Sequence, residues 1–196
     1  KVVQTRAVEF ANKFDVPVRV LSSFKDGNGT LISLGEENME NALVSGIAFQ
    51  KDQVKFTLHG VGDTPGTAFK ILGPISDADI EVDVIVQNVS VDGKTDFTFT
   101  VSSDDQSSVQ NIIEEIKEDV NFRELIIDSN IAKVSIVGAG MRSQAGVAST
   151  AFKSLSEHDV NIQIICTSEI KITMVIDKSL VEKAVQVLHN EFNLDK

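Results

Sequence analysis

The chain has no tryptophan, no tyrosine, a single cysteine, and only 18 basic residues against 29 acidic ones, for a formal net charge of −11. The shortage of Lys and Arg argues against a nucleic-acid or anionic-membrane partner, because such binding is driven by neutralising phosphate. Without Tyr, Trp or a Lys/Arg-Gly-aromatic signature, RNA recognition by stacked bases is disfavoured, and Phe56, Phe97 and Phe99 read as core residues. One cysteine excludes an intramolecular disulfide and fits a reducing cytosol. Cys166 lies in an apolar stretch and reads as a buried packing residue. No apolar run approaches the roughly 18–20 residues needed to cross a bilayer. Glu9 and Asp15 stand where a signal peptide needs an apolar core. A cytoplasmic chain that is not a membrane protein is expected.

What is present is a core. With 196 residues and 42% hydrophobic content, the chain suffices for one large domain or two small ones. Enzymatic signals are thin. His59, His158 and His189 have no partners at nucleophile or metal-ligand spacing and read as surface or helix-end residues. The GAG at 138–140 follows a strand and precedes a helix, but Ser143 occupies the third glycine position of a dinucleotide fingerprint and the downstream pattern is antiparallel.

Residues 54–88 align without a gap on 134–168, at an offset of 80, with seven identities: Val54/Val134, Gly60/Gly140, Gly66/Gly146, Ala68/Ala148, Ser76/Ser156, Asp79/Asp159 and Ile85/Ile165. The order of signals is shared as well. A strand (VKFTL; KVSIV) ends in a glycine loop (GVGDTPG; GAGMRSQAG), with Asp63-Thr64-Pro65 or Ser143 where N-cap and first-turn residues belong. A helix follows, with Ala68, Ile71, Leu72 and Ile75, or Val147, Ala151, Phe152 and Leu155, on one face. Gly73-Pro74 is expected to kink or shorten the first copy. An alternating strand comes next (EVDVIVQNVS; NIQIICTSEI), then a third strand (TDFTFTV; IKITMVID), reached in the first copy through the turn former Asp92-Gly93, and then a second helix.

The pattern β-α-β-β-α calls for one more strand. The first copy has it in FRELIIDSN at 122–130, whereas the second ends without one. ALVSGIAFQ at 42–50 has no partner of its own and is expected to close the second sheet, which makes the first copy an insertion in the second domain. The expected division is therefore 54–130 for one module and 42–53 plus 131–196 for the other. Residues 1–25 read as a helix, then the strand VPVRVLSSF, and look like the trailing edge of a preceding domain, with 26–41 as its linker. Lys1 falls within a helix-like pattern (Val3, Ala7, Phe10, Phe14), so the chain is expected to begin inside a longer polypeptide.

The glycine loops turn backbone N–H groups outward at the positive end of a helix dipole, a setting suited to an α-carboxylate. Asp63, with Asn88 or Gln87, could receive an α-ammonium, which would make the ligand an amino acid. The alternative is that these residues only cap helices and end strands.

These stretches also carry a resemblance. QNVS at 87–90 followed by TDFTFT at 95–100, and GAGMRS at 138–143 followed by CTSEIKI at 166–172, closely resemble the paired ACT domains of aspartate kinase. VVQTRAVEFANKF, VPVRVLSSF and GT look like the end of that family's amino-acid-kinase catalytic domain. The resemblance implies an α+β fold of two ferredoxin-like βαββαβ ACT domains, antiparallel sheets with helices on one face. It implies binding of lysine, threonine or both, as effectors that inhibit aspartate phosphorylation by feedback. It also implies a homodimer through the ACT domains, and a catalytic domain or subunit as partner. ATP and Mg would belong to that catalytic part, whose Lys-Phe-Gly-Gly-Thr-Ser type start this chain lacks. The chain itself is expected to hold no cofactor and to be inactive alone. Lys1 in place of methionine favours an excised regulatory half over a separate regulatory subunit.

In this family effectors sit between the first ACT domain of one subunit and the second of its partner. Carried over, one wall would be Asp63, Thr64, Pro65, Gly66, Asp83, Gln87, Asn88 and Thr95. The facing wall would be Met141, Ser143, Gln144, Gly146, Val147, Asn161, Ile162, Thr167, Ser168 and Glu169. One departure bears on the second site's selectivity: members commonly carry His, often followed by Pro, where this chain has Gln144-Ala145. The rival reading is a structural dimerisation module without a metabolite ligand.

Overall fold

The structure is a computed structural model that describes residues 3–32, 44–88, 92–138 and 146–194. It divides into two compact units, Lys1–Ala42 and Leu43–Lys196. In the first, helix α1 (Thr5–Lys13) precedes strands β1 (Val18–Val20) and β2 (Thr30–Ile32). These two strands pair antiparallel, with Arg19 opposite Leu31. The stretch expected to be linker from residue 26 therefore begins with a paired strand, because the Gly27–Gly29 turn returns the chain onto β1.

The second unit holds one six-stranded antiparallel sheet, ordered β4-β5-β3-β6-β8-β7. Its strands are β3 (Gly46–Gly62), β4 (Ile85–Gln87), β5 (Lys94–Ser102), β6 (Glu124–Val137), β7 (Ile162–Thr167) and β8 (Lys171–Asp177). The helices are α2 (Thr67–Asp77), α3 (Gln106–Glu115), α4 (Lys117–Val120), α5 (Val147–Glu157) and α6 (Val181–Glu191). The sequence pattern implied separate short strands at 42–50, 54–58, 122–130 and 133–137. Instead they join in pairs, since β3 runs 17 residues and β6 runs 14, far beyond the usual strand of about 5–6.

Each long strand serves both repeats. Lys55–Leu58 pairs with β5 on one side and with Leu125–Asp128 on the other. Gly46–Gln50 pairs with Lys133–Val137, Ile47 lying opposite Ile136. The first repeat thus orders its strands β4-β5-β3-β6, and the second places residues 46–50 beside β6, β8 and β7.

Register shifts between Gln50 and Gln53 and between Gln53 and Lys55 let one strand serve two cores. A bulge adds a residue and so changes which parity points inward. On β3 the inward set passes from Ile47 to Val54, Phe56 and Leu58; on β6 it passes from Leu125 and Ile127 to Ala132, Val134 and Ile136.

The first core packs Phe56, Phe97 and Phe99 with Ile71, Ile75, Val109 and Ile113 of the helices. Phe56 and Phe99 stack with ring centroids 5.4 Å apart, consistent with core rather than base-stacking roles. The second core packs Val134, Ile136 and Met174 with Ala151, Leu155, Ala184 and Leu188. α2 continues through Pro74 where a kink or early stop was expected. Its start differs as well: Gly66, in the left-handed region, is the N-cap and makes no side-chain cap bond, so Asp63 does not cap the helix.

Cys166 is exposed, against the expectation of burial. Along β7, Ile162 and Ile164 are half-buried but the strand's end, from Ile165 onward, is exposed. This is an outer strand, and its last residues lie beyond the cover of the core. Among the described residues no helix is long and apolar enough to cross a membrane.

Candidate functional site

The loop between β3 and α2 is built by its own hydrogen bonds. Thr64 N–H donates to Gly62 O at 3.0 Å and Thr67 N–H to Thr64 O at 3.2 Å. Thr67 Oγ1 donates to Gly62 O at 2.9 Å and lies 3.1 Å from Thr64 Oγ1. Gly66 adopts φ +93°, with nothing within 4 Å of where a Cβ would stand, so the glycine is needed for the backbone bend rather than for space. Asp63, Thr64, Pro65 and Gly66 are all exposed around this helix entrance. Asp63 N–H donates to Gly93 O at 3.0 Å, tying the loop to the turn before β5.

Thr95 is buried, and its hydroxyl donates to Asn88 O. Thr95 thus holds the end of β4 in place, while Gln87 and Asn88 remain exposed. Asp83 is differently committed: its carboxylate pairs with the ammonium of Lys133. It lies before β4, whereas Gln87 ends it. The 63–66 loop and Asn88 are therefore each tied to the start of β5, through Gly93 and Thr95, and Asp83 lies at the other end of β4.

Behind the loop, Gly60 N–H donates to Asp96 Oδ1 at 3.0 Å, and His59 Nδ1 lies 2.8 Å from Asp96 Oδ2. The Gly60 N–H, with His59 beside it, holds the Asp96 carboxyl below the ordinary carboxylate value. This pairing gives His59 a partner 37 residues away that sequence spacing did not reveal. Thr67 is another support the sequence reading missed; the signal available was a hydroxyl one residue after the capping glycine.

In the second repeat α5 begins after Gly146, at φ +122°. It starts 80 residues after α2, at the repeat offset. Val147 is buried in the second core, so its side chain is packing and only its backbone faces the entrance. Ser168 shapes the β7–β8 turn, its N–H donating to Lys171 O at 2.8 Å and its Oγ accepting from Lys171 N–H at 3.1 Å. Thr167 and Glu169 are exposed beside it. Gly138 N–H donates to Ile170 O at 3.0 Å, so the second glycine loop leaves β6 next to this turn. Met141, Ser143 and Gln144 lie outside the described residues.

Asn161 and Ile162 border an open cleft of about 500 Å³ with Phe152, Ser156, Asp159 and Val160. They sit at the start of β7, and Thr167 at its end, separated by roughly 16 Å for a six-residue strand. One chain therefore does not join the two groups in a single pocket.

Two repeats sharing one sheet in this way, each with its glycine-capped helix entrance, define a tandem pair of ACT domains. Family models described as ACT domain match residues 58–121 and 134–192. The aspartate kinase of Pseudomonas fluorescens (strain SBW25) is 57% identical over 196 residues, covering 100% of this chain and 48% of the relative. A crystal structure of aspartokinase alpha and beta subunits is 46% identical, with TM-score 0.73, over 77% of this chain and 99% of that one. The regulatory subunit of aspartate kinase from Thermus thermophilus, ligand free, is 32% identical, with TM-score 0.73, over 76% of this chain and 99% of that one. E. coli aspartokinase III in complex with lysine and aspartate, described as the T-state, is 25% identical, with TM-score 0.72, over 100% of this chain and 43% of that one. The chain belongs to the aspartate kinase family, of which it carries the ACT-domain regulatory region. It spans about half the length of the curated relatives it matches, 48% in the first case.

Proposed function

We propose that this region binds lysine, threonine or both, and passes that occupancy to an aspartate kinase catalytic part as feedback inhibition. The observation that carries the reading is an exposed, glycine-bent helix entrance at 63–66, tied through Gly93 to the start of β5, where Thr95 fixes Asn88. The α-carboxylate would meet backbone N–H groups at the entrance, and the α-ammonium would meet Asp63 and the amide oxygens of Gln87 or Asn88. The lysine named for the E. coli enzyme supports the choice of ligand class.

By the resemblance, the site would be completed by a second copy whose turn at Thr167, Ser168 and Glu169, exposed in this chain, faces the first wall. Ile85 and Ile165, equivalent positions on the outer strands β4 and β7, are 47% and 48% exposed and offer apolar contacts for such a homodimer. Within the chain, pairing of 46–50 with 133–137 supports residues 42–53 plus 131–196 as one domain, into which 54–130 is inserted. ATP and Mg belong to the catalytic part and its chemistry. Effector control needs different affinity for two states, and a coupling of about 1–3 kcal/mol would change activity several-fold to about a hundredfold.

The test is thermal unfolding of the chain with L-lysine, L-threonine or both. At about 100 times the dissociation constant a ligand adds about 2.7 kcal/mol, and Asp63→Ala or Asn88→Ala removes the gain. No shift with either amino acid leaves the structural dimerisation reading in its place.

A further inference from the structure

Three buried apolar residues, Val84, Ile131 and Val175, belong to neither repeat's core. Lys133 stands opposite Val175 in the β6–β8 pairing and two residues from Ile131, on the face turned away from the helices. Its side chain is 3% exposed, and its ammonium reaches Asp83, immediately before Val84. A buried ammonium is retained only with a counter-charge, and Asp83 supplies it from the other repeat.

The opposite contact is also present. Lys55, on the first repeat's part of β3, donates to Gln163 of the second repeat and lies 3.1 Å from Asp128. Asp83 and Gln163 are the same position under the 80-residue offset. Each is reached by a lysine from the opening strand of the other repeat, and each lies four residues before the strand end that carries Gln87 or Thr167.

We propose that Lys133–Asp83 and Lys55–Gln163 form a reciprocal lysine clamp, by which each repeat holds the approach to the other's ligand-recognition strand and the two entrances are coupled within one chain. The coupling rests on the effector reading above; the clamp itself does not. The two arms differ in kind. Lys133–Asp83 is an ion pair with one partner buried, whereas Gln163 is a neutral acceptor on a lysine already paired with Asp128. The first arm should dominate.

The test compares wild type, Asp83→Asn, Lys133→Met and the double variant, without ligand, by urea unfolding and amide hydrogen exchange. Asp83→Asn strands a buried charge and lowers the folding equilibrium constant at least about tenfold. Lys133→Met leaves only a half-exposed carboxylate to re-solvate and has the smaller effect; the double variant recovers most of the loss. Lys133→Met also speeds exchange at Asp83, Val84 and Thr100, whose N–H groups join this segment to β5. Additive effects, or unchanged exchange at those amides, overturn the clamp. If Asp83→Asn does not fold, recovery by added Lys133→Met supports the clamp and continued failure overturns it.

A second measurement repeats the exchange with L-threonine and L-lysine. In wild type, protection at one strand end is accompanied by a change at the other; in Lys133→Met the local protection stays and the distant change shrinks. An undiminished distant change overturns the coupling, whereas no response in wild type overturns the effector reading and leaves the clamp to the ligand-free result.

Discussion

The two repeats share a backbone plan and differ in what fills it. α2 and α5 begin after Gly66 and Gly146, both at positive φ, and are followed two residues past their ends by Asp79 and Asp159 at φ 58° and 57°. In both, the residue after that Asp returns its N–H to a carbonyl five residues back, Ile80 to Ile75 and Val160 to Leu155, closing the helix in the left-handed manner. The cores are less alike. The first holds buried phenylalanines at 56, 97, 99 and 122; in the second, among the described residues, Met174 and aliphatic side chains are buried and Phe152 and Phe192 only partly. Gly66/Gly146 and Asp79/Asp159 stay identical where φ is positive, whereas most core positions keep only an apolar side chain of suitable volume.

The sharpest test of that comparison is Phe56→Ala, expected to cost about 3–5 kcal/mol through the cavity it leaves. Because β3 and β6 run through both repeats, urea unfolding should remain one transition, with hydrogen-exchange protection falling in the second repeat as well. Two separated transitions would show the repeats to be independent. Next is Ile47→Ala on the segment serving the second repeat, expected to cost about 2 kcal/mol, the low end for a partly buried isoleucine. Faster exchange should be concentrated at 133–137.

A smaller effect is expected from Gly66→Ala and Gly146→Ala. No atom lies within 4 Å of either built Cβ, so only the positive-φ penalty of about 1–2 kcal/mol applies. The loss should be the larger at Gly146, whose φ of +122° lies farther from the left-handed region than the +93° of Gly66, and a larger loss at Gly66 in denaturant melts would contradict this. The smallest effect is electrostatic. Asp96 has a depressed native pKa, so its contribution is complete above the ordinary carboxylate pKa and is lost as pH falls through the lower native value. Urea midpoints followed from neutral pH to about pH 2 should fall less on the acid side in Asp96→Asn.

Much of the fold was legible because period and punctuation are local properties. Alternation in VKFTL and KVSIV placed the opening strands, and glycines marked the entrances that the structure bends at positive φ. The failures have physical causes too. Asp63 was read as a cap from residue type, but the Thr64–Thr67 hydrogen bonds delay the helix start until Gly66 can cap it. Pro74 was read as a breaker, yet α2 continues through it. Cys166 was read as buried from its apolar neighbours, but an outer strand leaves its end uncovered. Of the candidate site, the sequence pointed to the glycine bend at 66, while the tie of Asp63 to Gly93 and the commitments of Thr95 to Asn88 and of Asp83 to Lys133 were invisible in it.

The sequence by itself determined the two-fold repetition, the kind of each element and the glycine bends, since these depend on side-chain alternation and on φ at single residues. Only the tertiary structure decided that four short strands are two long ones, that bulges let each serve two cores, and that lysines cross between repeats. Those outcomes depend on pairing between residues up to about 130 positions apart, as in Lys51 with Glu182, where local pattern carries no information about the partner.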